Sequence, residues 1–351
     1  MLTRIAVVLL VGLLGWAYQT TQPPPPKICG SPGGPSVTSP RIKLSDGRHL
    51  AYRESGVPKD KAKYRILFVH GFGVSKDFSL PSSQELIEEL RIYFLSFDRA
   101  GYGESDPNPK RSVKSEAFDI QELADQLEIG SKFYVIGVSM GGYPAWSCLK
   151  YIPHRLAGVS LVAPVINYWW SSFPAKLSIE TYRKQLLQDQ WTLGIAHYAP
   201  RLLYWWMTQK RFPSSSLVEG NPGILSSKDL EILSQMSKAF EPQFKDKVTQ
   251  QGVFESLHRD LMVGFGSWDF DLMDLNNPFP LEEGSSVHIW QGYEDRLIPF
   301  PLQRYVAKRL PWIRYHELPD HGHFFFLNTS FSDDILRALV LGREEPSTIN
   351  A

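Results

Sequence analysis

Residues 133–142, with the sequence FYVIGVSMGG, decide the fold of this chain. Residues 133–138 form an apolar run that predicts a buried strand, and the glycines after it predict a sharp turn into a helix. A serine at such a turn takes a strained backbone conformation, and small neighbours such as Gly137 and Gly141 let strand and helix approach each other. The helix N-terminus then directs N–H groups at charge that develops on Ser139. We therefore interpret Ser139 as a nucleophile.

Strand-like runs alternate with helical patterns on both sides of this segment. The alternation predicts an α/β fold with a mainly parallel sheet covered by helices on both faces. Two short opening strands, separated by Asp46-Gly47, can add an antiparallel edge. Besides Phe133–Val138, the predicted strands are 41–44, 50–54, 64–70, 92–98, 159–163, 287–291 and 314–318.

Three helices have sequence signals of their own. A capping box, Ser82-x-x-Glu85, predicts the start of one helix. Apolar residues from Ile120 to Leu127 recur at helical spacing, and Gly130 ends that pattern. The last helix is predicted to start at Ser332 and to end at Gly342.

The alternation is interrupted once, by a long tryptophan-rich segment without a strand pattern. About 110 residues are too many for a loop, so we predict a helical insertion over residues 167–280 between two late strands of the sheet. The α/β core then comprises residues 41–166 and 281–345, and residues 346–351 form a tail. The tryptophans of the insertion include Trp169, Trp170, Trp191, Trp205 and Trp206.

The N-terminal residues 1–20 are predicted to lie outside this fold. Ile5–Tyr18 is almost wholly apolar, and it resembles a signal-anchor or the apolar part of a signal peptide. Since bulky Trp16 and Tyr18 spoil a cleavage site, we favour an uncleaved anchor in the endomembrane system or plasma membrane, with secretion as the alternative. Residues 21–40 hold four consecutive prolines and several glycines, which predict a semi-rigid linker.

A second glycine-rich turn follows the predicted strand that ends near residue 70. It reads His70-Gly71-Phe72-Gly73. Gly71 and Gly73 would let the backbone fold toward Ser139, and we interpret His70 as a supporting residue. The backbone N–H groups of Phe72 and Met140 would then form an oxyanion hole.

A serine nucleophile needs a base, and the base needs an acid to orient it. Open α/β sheets place such groups at the carboxyl ends of their strands. The residues at these ends are Glu294 and Asp295 after one late strand, and Asp320, His321 and His323 after the next. Each of the three carboxylates could serve as the acid, and either histidine as the base.

Taken together, these motifs resemble the α/β-hydrolase superfamily. Within it, the chain is similar to lipases, esterases and acylglycerol lipases, including plant-type membrane-anchored members. The segment Asp98–Ser105 is similar to a further turn of that family, in which Asp98 is a structural residue. The resemblance implies an eight-stranded sheet and a helical cap, or lid, over the site. It also implies Asp295 as the acid and His323 as the base.

The implied activity is hydrolysis of a carboxylic ester through an acyl-enzyme on Ser139. The tryptophan-rich insertion favours a lipid-like or small apolar acyl substrate. Two alternatives use the same residues: a cap-gated receptor of hormone type with vestigial hydrolase activity, and an acyltransferase.

Composition excludes several other classes of partner. The chain carries 37 basic and 37 acidic residues without a like-charge block, so we expect no nucleic-acid partner. The two cysteines, Cys29 and Cys148, are expected to be free thiols. The sequence has no metal-binding or dinucleotide motif, so we expect no metal and no cofactor, and a monomeric catalytic domain.

Overall fold

The computed structural model describes residues 2–235, 246–280 and 285–342. Eight strands form one sheet in the order β1-β2-β4-β3-β5-β6-β7-β8. The first two pairings, β1 with β2 and β2 with β4, are antiparallel, and all others are parallel. The predicted sheet with its antiparallel edge is thus confirmed. The strands are β1 Arg41–Lys43, β2 His49–Gly56, β3 Tyr64–Val69, β4 Ile92–Phe97, β5 Phe133–Val138, β6 Leu156–Val162, β7 Val287–Gly292 and β8 Ile313–Leu318.

The central strands are buried because both faces of the sheet are covered. In β3, Ile66 and Phe68 point into one apolar cluster, while Leu67 and Val69 point into the other. This alternation follows from the two-residue period of a strand. The sequence therefore shows a continuous apolar run rather than an alternating one, as expected for a sheet with helices on both sides.

Twelve α-helices of four or more residues accompany the sheet in the described ranges, besides 3₁₀ turns and one π-helical turn. They are α1 Leu2–Thr21, α2 Gln84–Leu90, α3 Val113–Gln126, α4 Gly142–Tyr151, α5 Ala175–Tyr182, α6 Leu187–Tyr198, α7 Leu203–Thr208, α8 Ser216–Glu219, α9 Ser227–Gln235, α10 Arg259–Phe265, α11 Phe300–Arg309 and α12 Thr329–Leu341.

Two predicted helix starts were wrong. Ser83 rather than Ser82 occupies the N-cap position of α2, so the proposed box at Ser82 does not form. The Ser83 hydroxyl donates to Asp333 at 2.6 Å and accepts no hydrogen bond from the helix. Helix α12 begins after Asn328, whose side chain accepts a hydrogen bond from the Ser330 N–H at 2.9 Å. Ser332 lies inside that helix instead. The predicted end of α12 is confirmed, because Gly342 takes a left-handed conformation there.

The described residues between β6 and β7 contain helices and no strand. Helices α5 to α10 all lie in this segment, which we call the helical insertion (residues 163–286). Residues 236–245 and 281–284 of the insertion and the predicted tail 346–351 lie outside the described residues.

The N-terminal segment consists of a helix and a linker, and part of the linker is attached to the domain. Residues Arg4–Thr21 form a helix long and apolar enough to cross a membrane, a property that anchors and signal sequences share. From residue 22 onward the proline-rich linker has no helix or strand, yet its second half is fixed to the rest of the chain. The Cys29 N–H donates to Gln251 at 2.9 Å, and the Thr38 N–H donates to Glu104 at 2.9 Å. Cys29 is buried as a result, so residues 27–39 are not a free spacer. Cys29 and Cys148 are both free thiols, as expected.

Candidate active site

Ser139 occupies a strained turn between β5 and α4. Its φ angle is 54°, in the left-handed region that side chains other than glycine rarely adopt. The turn is tight because a Cβ atom on Gly141 would lie 2.1 Å from the Val69 carbonyl oxygen, and one on Gly137 would lie 2.3 Å from the Gly141 carbonyl oxygen. Only glycine fits at these two positions. The strand, the turn and the helix therefore hold the serine above the sheet.

The turn formed by residues 70–73 lies directly against this serine. A Cβ on Gly71 would be 3.2 Å from Ser139 Cβ and 3.8 Å from Ser139 Oγ. Phe72, Gly73 and Met140 line one cavity with Ser139. The turn that carries Phe72 and the turn that carries Met140 thus both border the cavity beside Ser139.

His70 supports this turn from a fully buried position. Its Nδ1 donates to the Gly71 carbonyl oxygen at 2.8 Å, and its Nε2 accepts from the Arg99 N–H at 3.0 Å. Burial, together with the nearby Arg99 charge, holds the pKa of His70 well below its ordinary value. His70 is therefore a neutral, structural imidazole.

Arg99 ties the same turn to the helical insertion. Its guanidinium donates to the His70 and Gly71 carbonyl oxygens at 3.1 and 3.0 Å, and to Asp260 of α10 at 2.7 Å. Arg111 donates to the same carboxylate at 3.0 Å. Burial alone would raise the pKa of Asp260, but these two guanidinium groups lower it to about 2. The buried charges are thus paired, and they fix the turn that carries Phe72.

On the other side of the serine, Asp295 and His323 are joined by a hydrogen bond. His323 Nδ1 lies 2.8 Å from Asp295 Oδ2, and both side chains are buried. Asp295 also accepts hydrogen bonds from the Ile298 N–H at 2.8 Å and from Gln291 at 3.0 Å. These donors fix the carboxylate at the end of β7. Burial lowers the pKa of His323, but the charge and hydrogen bond of Asp295, together with the charge of Asp229, outweigh burial and raise the pKa above its ordinary value.

The other carboxylates and histidine considered from the sequence are not brought into this arrangement. His321 Nδ1 lies against the Pro319 carbonyl oxygen, and its ring contacts Phe331. Asp320 is exposed on the turn after β8. Asp98 is buried below the site and accepts hydrogen bonds from the backbone and side chain of Lys76. Asp98 therefore holds a turn, as the resemblance implied.

Asp229 of α9 is a residue that the sequence analysis missed. Its carboxylate accepts a hydrogen bond from the Phe324 N–H at 2.7 Å, next to His323. A Cβ on Gly322 would lie only 2.2 Å from this carboxylate, which explains the glycine before His323. The sequence signals only the start of α9 here, because Ser226 and Asp229 have capping-box spacing and bond to each other. It carries no signal for the contact with Phe324.

Ser139 and His323 both line a cavity of about 580 Å³ between the sheet and the helical insertion. No hydrogen bond joins their side chains in the described part of the chain, a contact that often tightens only when substrate binds. Most of the lining is apolar. From the core it includes Phe72, Val138 and Ile298, and from the insertion Val165, Leu193, Leu217, Val218, Leu257, Leu261 and Phe265.

Comparison with proteins of known sequence and structure agrees with this architecture. The model of the alpha/beta hydrolase family matches residues 66–337. The esterase EaEST from Exiguobacterium antarcticum superposes with a TM-score of 0.57 at 16% identity, covering 86% of this chain and 98% of the esterase. An enol-lactonase from Burkholderia xenovorans LB400 gives a TM-score of 0.57 at 17% identity, covering 84% and 95%.

Curated relatives match over shorter stretches. Abhydrolase domain-containing protein abhd-5.2 of Caenorhabditis elegans is 34% identical over 118 residues, which are 32% of this chain and 26% of that protein. A dihydrolipoyllysine-residue acetyltransferase component from Cupriavidus necator is 29% identical over 121 residues, or 34% of this chain and 30% of that protein. The match thus spans less than a third of each relative. Since the family model covers most of the sequence from β3 to α12, the chain belongs to the alpha/beta hydrolase family.

Proposed function

We propose that this hydrolase cleaves carboxylic esters with Ser139 as nucleophile, His323 as base and Asp295 as the acid that orients the base. The observation that carries the proposal is the buried 2.8 Å contact between His323 and Asp295 at the edge of the cavity that Ser139 also lines. A histidine with a raised pKa can accept the serine proton and return it to a leaving group.

The reaction would proceed in two steps. His323 Nε2 takes the Ser139 hydroxyl proton while Oγ attacks the ester carbonyl, and Asp295 stabilises the imidazolium. The Phe72 and Met140 N–H groups bind the oxyanion, each contributing about 3 kcal/mol. The tetrahedral intermediate collapses, the C–O bond to the alcohol breaks, and His323 protonates the leaving alkoxide. Water, activated by the same histidine, then releases the acid from Ser139.

The apolar lining supports an acyl group or another lipid-like group as the part of the substrate that binds in the cavity. Gln185, Asp189, Ser215 and Thr249 are the polar residues that the insertion places at the same cavity. An apolar chain would bury its surface against the leucines and valines of the lining. We therefore expect ester cleavage to favour medium or long acyl chains over acetate.

A fluorophosphonate probe tests the nucleophile. The purified full-length chain should be labelled and should hydrolyse p-nitrophenyl esters of graded acyl length, whereas Ser139→Ala should do neither. Ser131→Ala is the matched control, because Ser131 is exposed ahead of β5 and away from the cavity. Undiminished labelling of Ser139→Ala, or a wild-type chain that is neither labelled nor active, would overturn the proposal. A wild-type chain that is neither labelled nor active would instead favour the cap-gated receptor.

A further inference from the structure

Helix α6 of the insertion is apolar on both of its sides. Leu187, Trp191 and Tyr198 are four and then seven residues apart, so they form one stripe, and this stripe is exposed. Trp191 is 59% exposed and Tyr198 is 73% exposed. Leu193 and Ala196 are buried on the opposite side of the helix. A surface helix of a water-soluble domain carries polar residues on its outer side, so this helix is built for an apolar or interfacial environment.

The exposed apolar surface continues beyond α6. The Trp191 and Trp206 rings lie 6.4 Å apart, which joins α6 to α7. We call the exposed residues of this surface the outer aromatic face; they are Leu187, Trp191, Tyr198, Leu202, Trp205 and Phe212. Several exposed apolar side chains on neighbouring helices of one protein mark a candidate binding surface.

In residues 190–218, which carry most of the outer aromatic face, the charged side chains have one sign. No aspartate or glutamate occurs between Asp189 and Glu219 in the sequence, whereas Arg201, Lys210 and Arg211 do. All three basic side chains are exposed. Exposed aromatics with basic residues among them are typical of helices that lie in the interface of an anionic bilayer.

The position of α1 identifies what covers this face. Helix α1 is apolar and exposed, it is long enough to cross a membrane, and it contacts α7. Its Trp16 and Tyr18 lie near the end that leads into the domain. Tryptophan and tyrosine are enriched where a membrane helix leaves the hydrocarbon. The end of α1 and the outer aromatic face are therefore suited to the same membrane surface.

We propose that the outer aromatic face docks onto an anionic lipid bilayer beside α1. One consequence concerns the cavity, whose wall includes Leu193 from the inner side of α6 and the half-exposed Leu217. The partly exposed Leu217, which lines the cavity, then lies toward the bilayer, and the substrate is an ester that partitions into lipid. This consequence rests on the proposed esterase function, whereas the docking itself does not.

A fluorescent label at position 212 tests the docking. Phe212→Cys is labelled with an environment-sensitive nitrobenzoxadiazole dye in the full-length chain, since the native cysteines 29 and 148 are buried. The chain is reconstituted in phosphatidylcholine vesicles with and without phosphatidylserine. Phe118→Cys is the matched control, because Phe118 is also an exposed phenylalanine but lies on α3 of the core.

We expect emission from position 212 to rise, to shift to shorter wavelength and to be quenched by nitroxide-bearing lipids, most strongly with phosphatidylserine. Emission from position 118 should show none of these changes. Replacing Lys210 and Arg211 by glutamate should remove the dependence on phosphatidylserine. A label at Trp191→Cys should behave like the label at 212, which guards against a local effect of one substitution.

Two outcomes would overturn the proposal. The first is emission at position 212 that matches position 118 in every vesicle. The second is a signal at 212 that disappears when each vesicle carries no more than one copy of the chain. That result would mean that the face binds a second copy of the chain and not the lipid. Repeating the measurement with Ser139→Ala separates the two proposals. This variant should lose ester cleavage and should still dock, so a failure of the proposed esterase function does not affect the docking result.

Discussion

The Asp229 carboxylate accepts a hydrogen bond of 2.7 Å from the backbone N–H of Phe324, and this bond joins the helical insertion to the loop that carries His323. Asp229 is fully buried and also accepts hydrogen bonds from Ser226 at the start of α9. Its negative charge adds to that of Asp295 in raising the pKa of His323 against the opposite effect of burial. The insertion therefore contributes both position and charge to the proposed base.

Replacing Asp229 should change how activity depends on pH. His323 acts as a base only when neutral, so activity falls as pH drops below its pKa. Because Asp229 raises that pKa, Asp229→Asn should move the acid limb of the kcat/KM profile to lower pH. Asp229→Ala should show the same shift and should also lower kcat by about 10- to 100-fold, because the loop loses its anchor. An acid limb that stays in place in both variants would contradict the assignment.

The acid of the proposed triad can be distinguished from its neighbour by a matched pair of variants. Asp295→Asn should lower kcat by roughly 10⁴-fold, because the amide no longer selects the tautomer of His323 that can accept the serine proton. Glu294→Gln, one position earlier, should leave kcat close to that of the wild type. Steady-state kinetics with one chromogenic ester measures both. Equal losses in the two variants would contradict the role of Asp295.

A second pair of variants tests the base. His323→Ala should remove both labelling by fluorophosphonate and ester turnover, whereas His321→Ala should retain most of each. The reason is geometric, since only His323 bonds to Asp295 while His321 bonds to a backbone carbonyl oxygen. Loss of turnover in His321→Ala with a folded protein would reverse the assignment.

The buried charge cluster around Asp260 should dominate the stability of the contact between insertion and core. Asp260→Ala leaves the Arg99 and Arg111 guanidinium groups buried without their shared carboxylate, and should cost about 3–5 kcal/mol of unfolding free energy. Glu231→Ala removes an exposed pair with Lys228 and should cost no more than about 0.5 kcal/mol. Urea unfolding of the detergent-solubilised chain measures both. A loss of unfolding free energy in Asp260→Ala as small as that in Glu231→Ala would show that the buried charge cluster does not stabilise the protein.

The strands and the serine turn could be predicted because their signals are local. Phe133–Val138 is a strand at the predicted bounds, and Gly137 and Gly141 occupy the positions where a side chain would collide. The helix starts were harder to predict, since Ser82, Ser83, Asn328 and Ser332 can all cap a helix. The Ser83 hydroxyl instead bonds Asp333, which is 250 residues away in sequence.

The sequence by itself determined the alternation of strands and helices and the strained serine, because side-chain period and turn sterics act between residues a few positions apart. Only the tertiary structure decided which histidine contacts which carboxylate. It also decided that Asp260 fixes the turn of residues 70–73 and that Asp229 fixes the loop that carries His323. These contacts join residues 95 and 161 positions apart. Nothing in local spacing specifies them, because buried charges find their partners only when the whole chain packs.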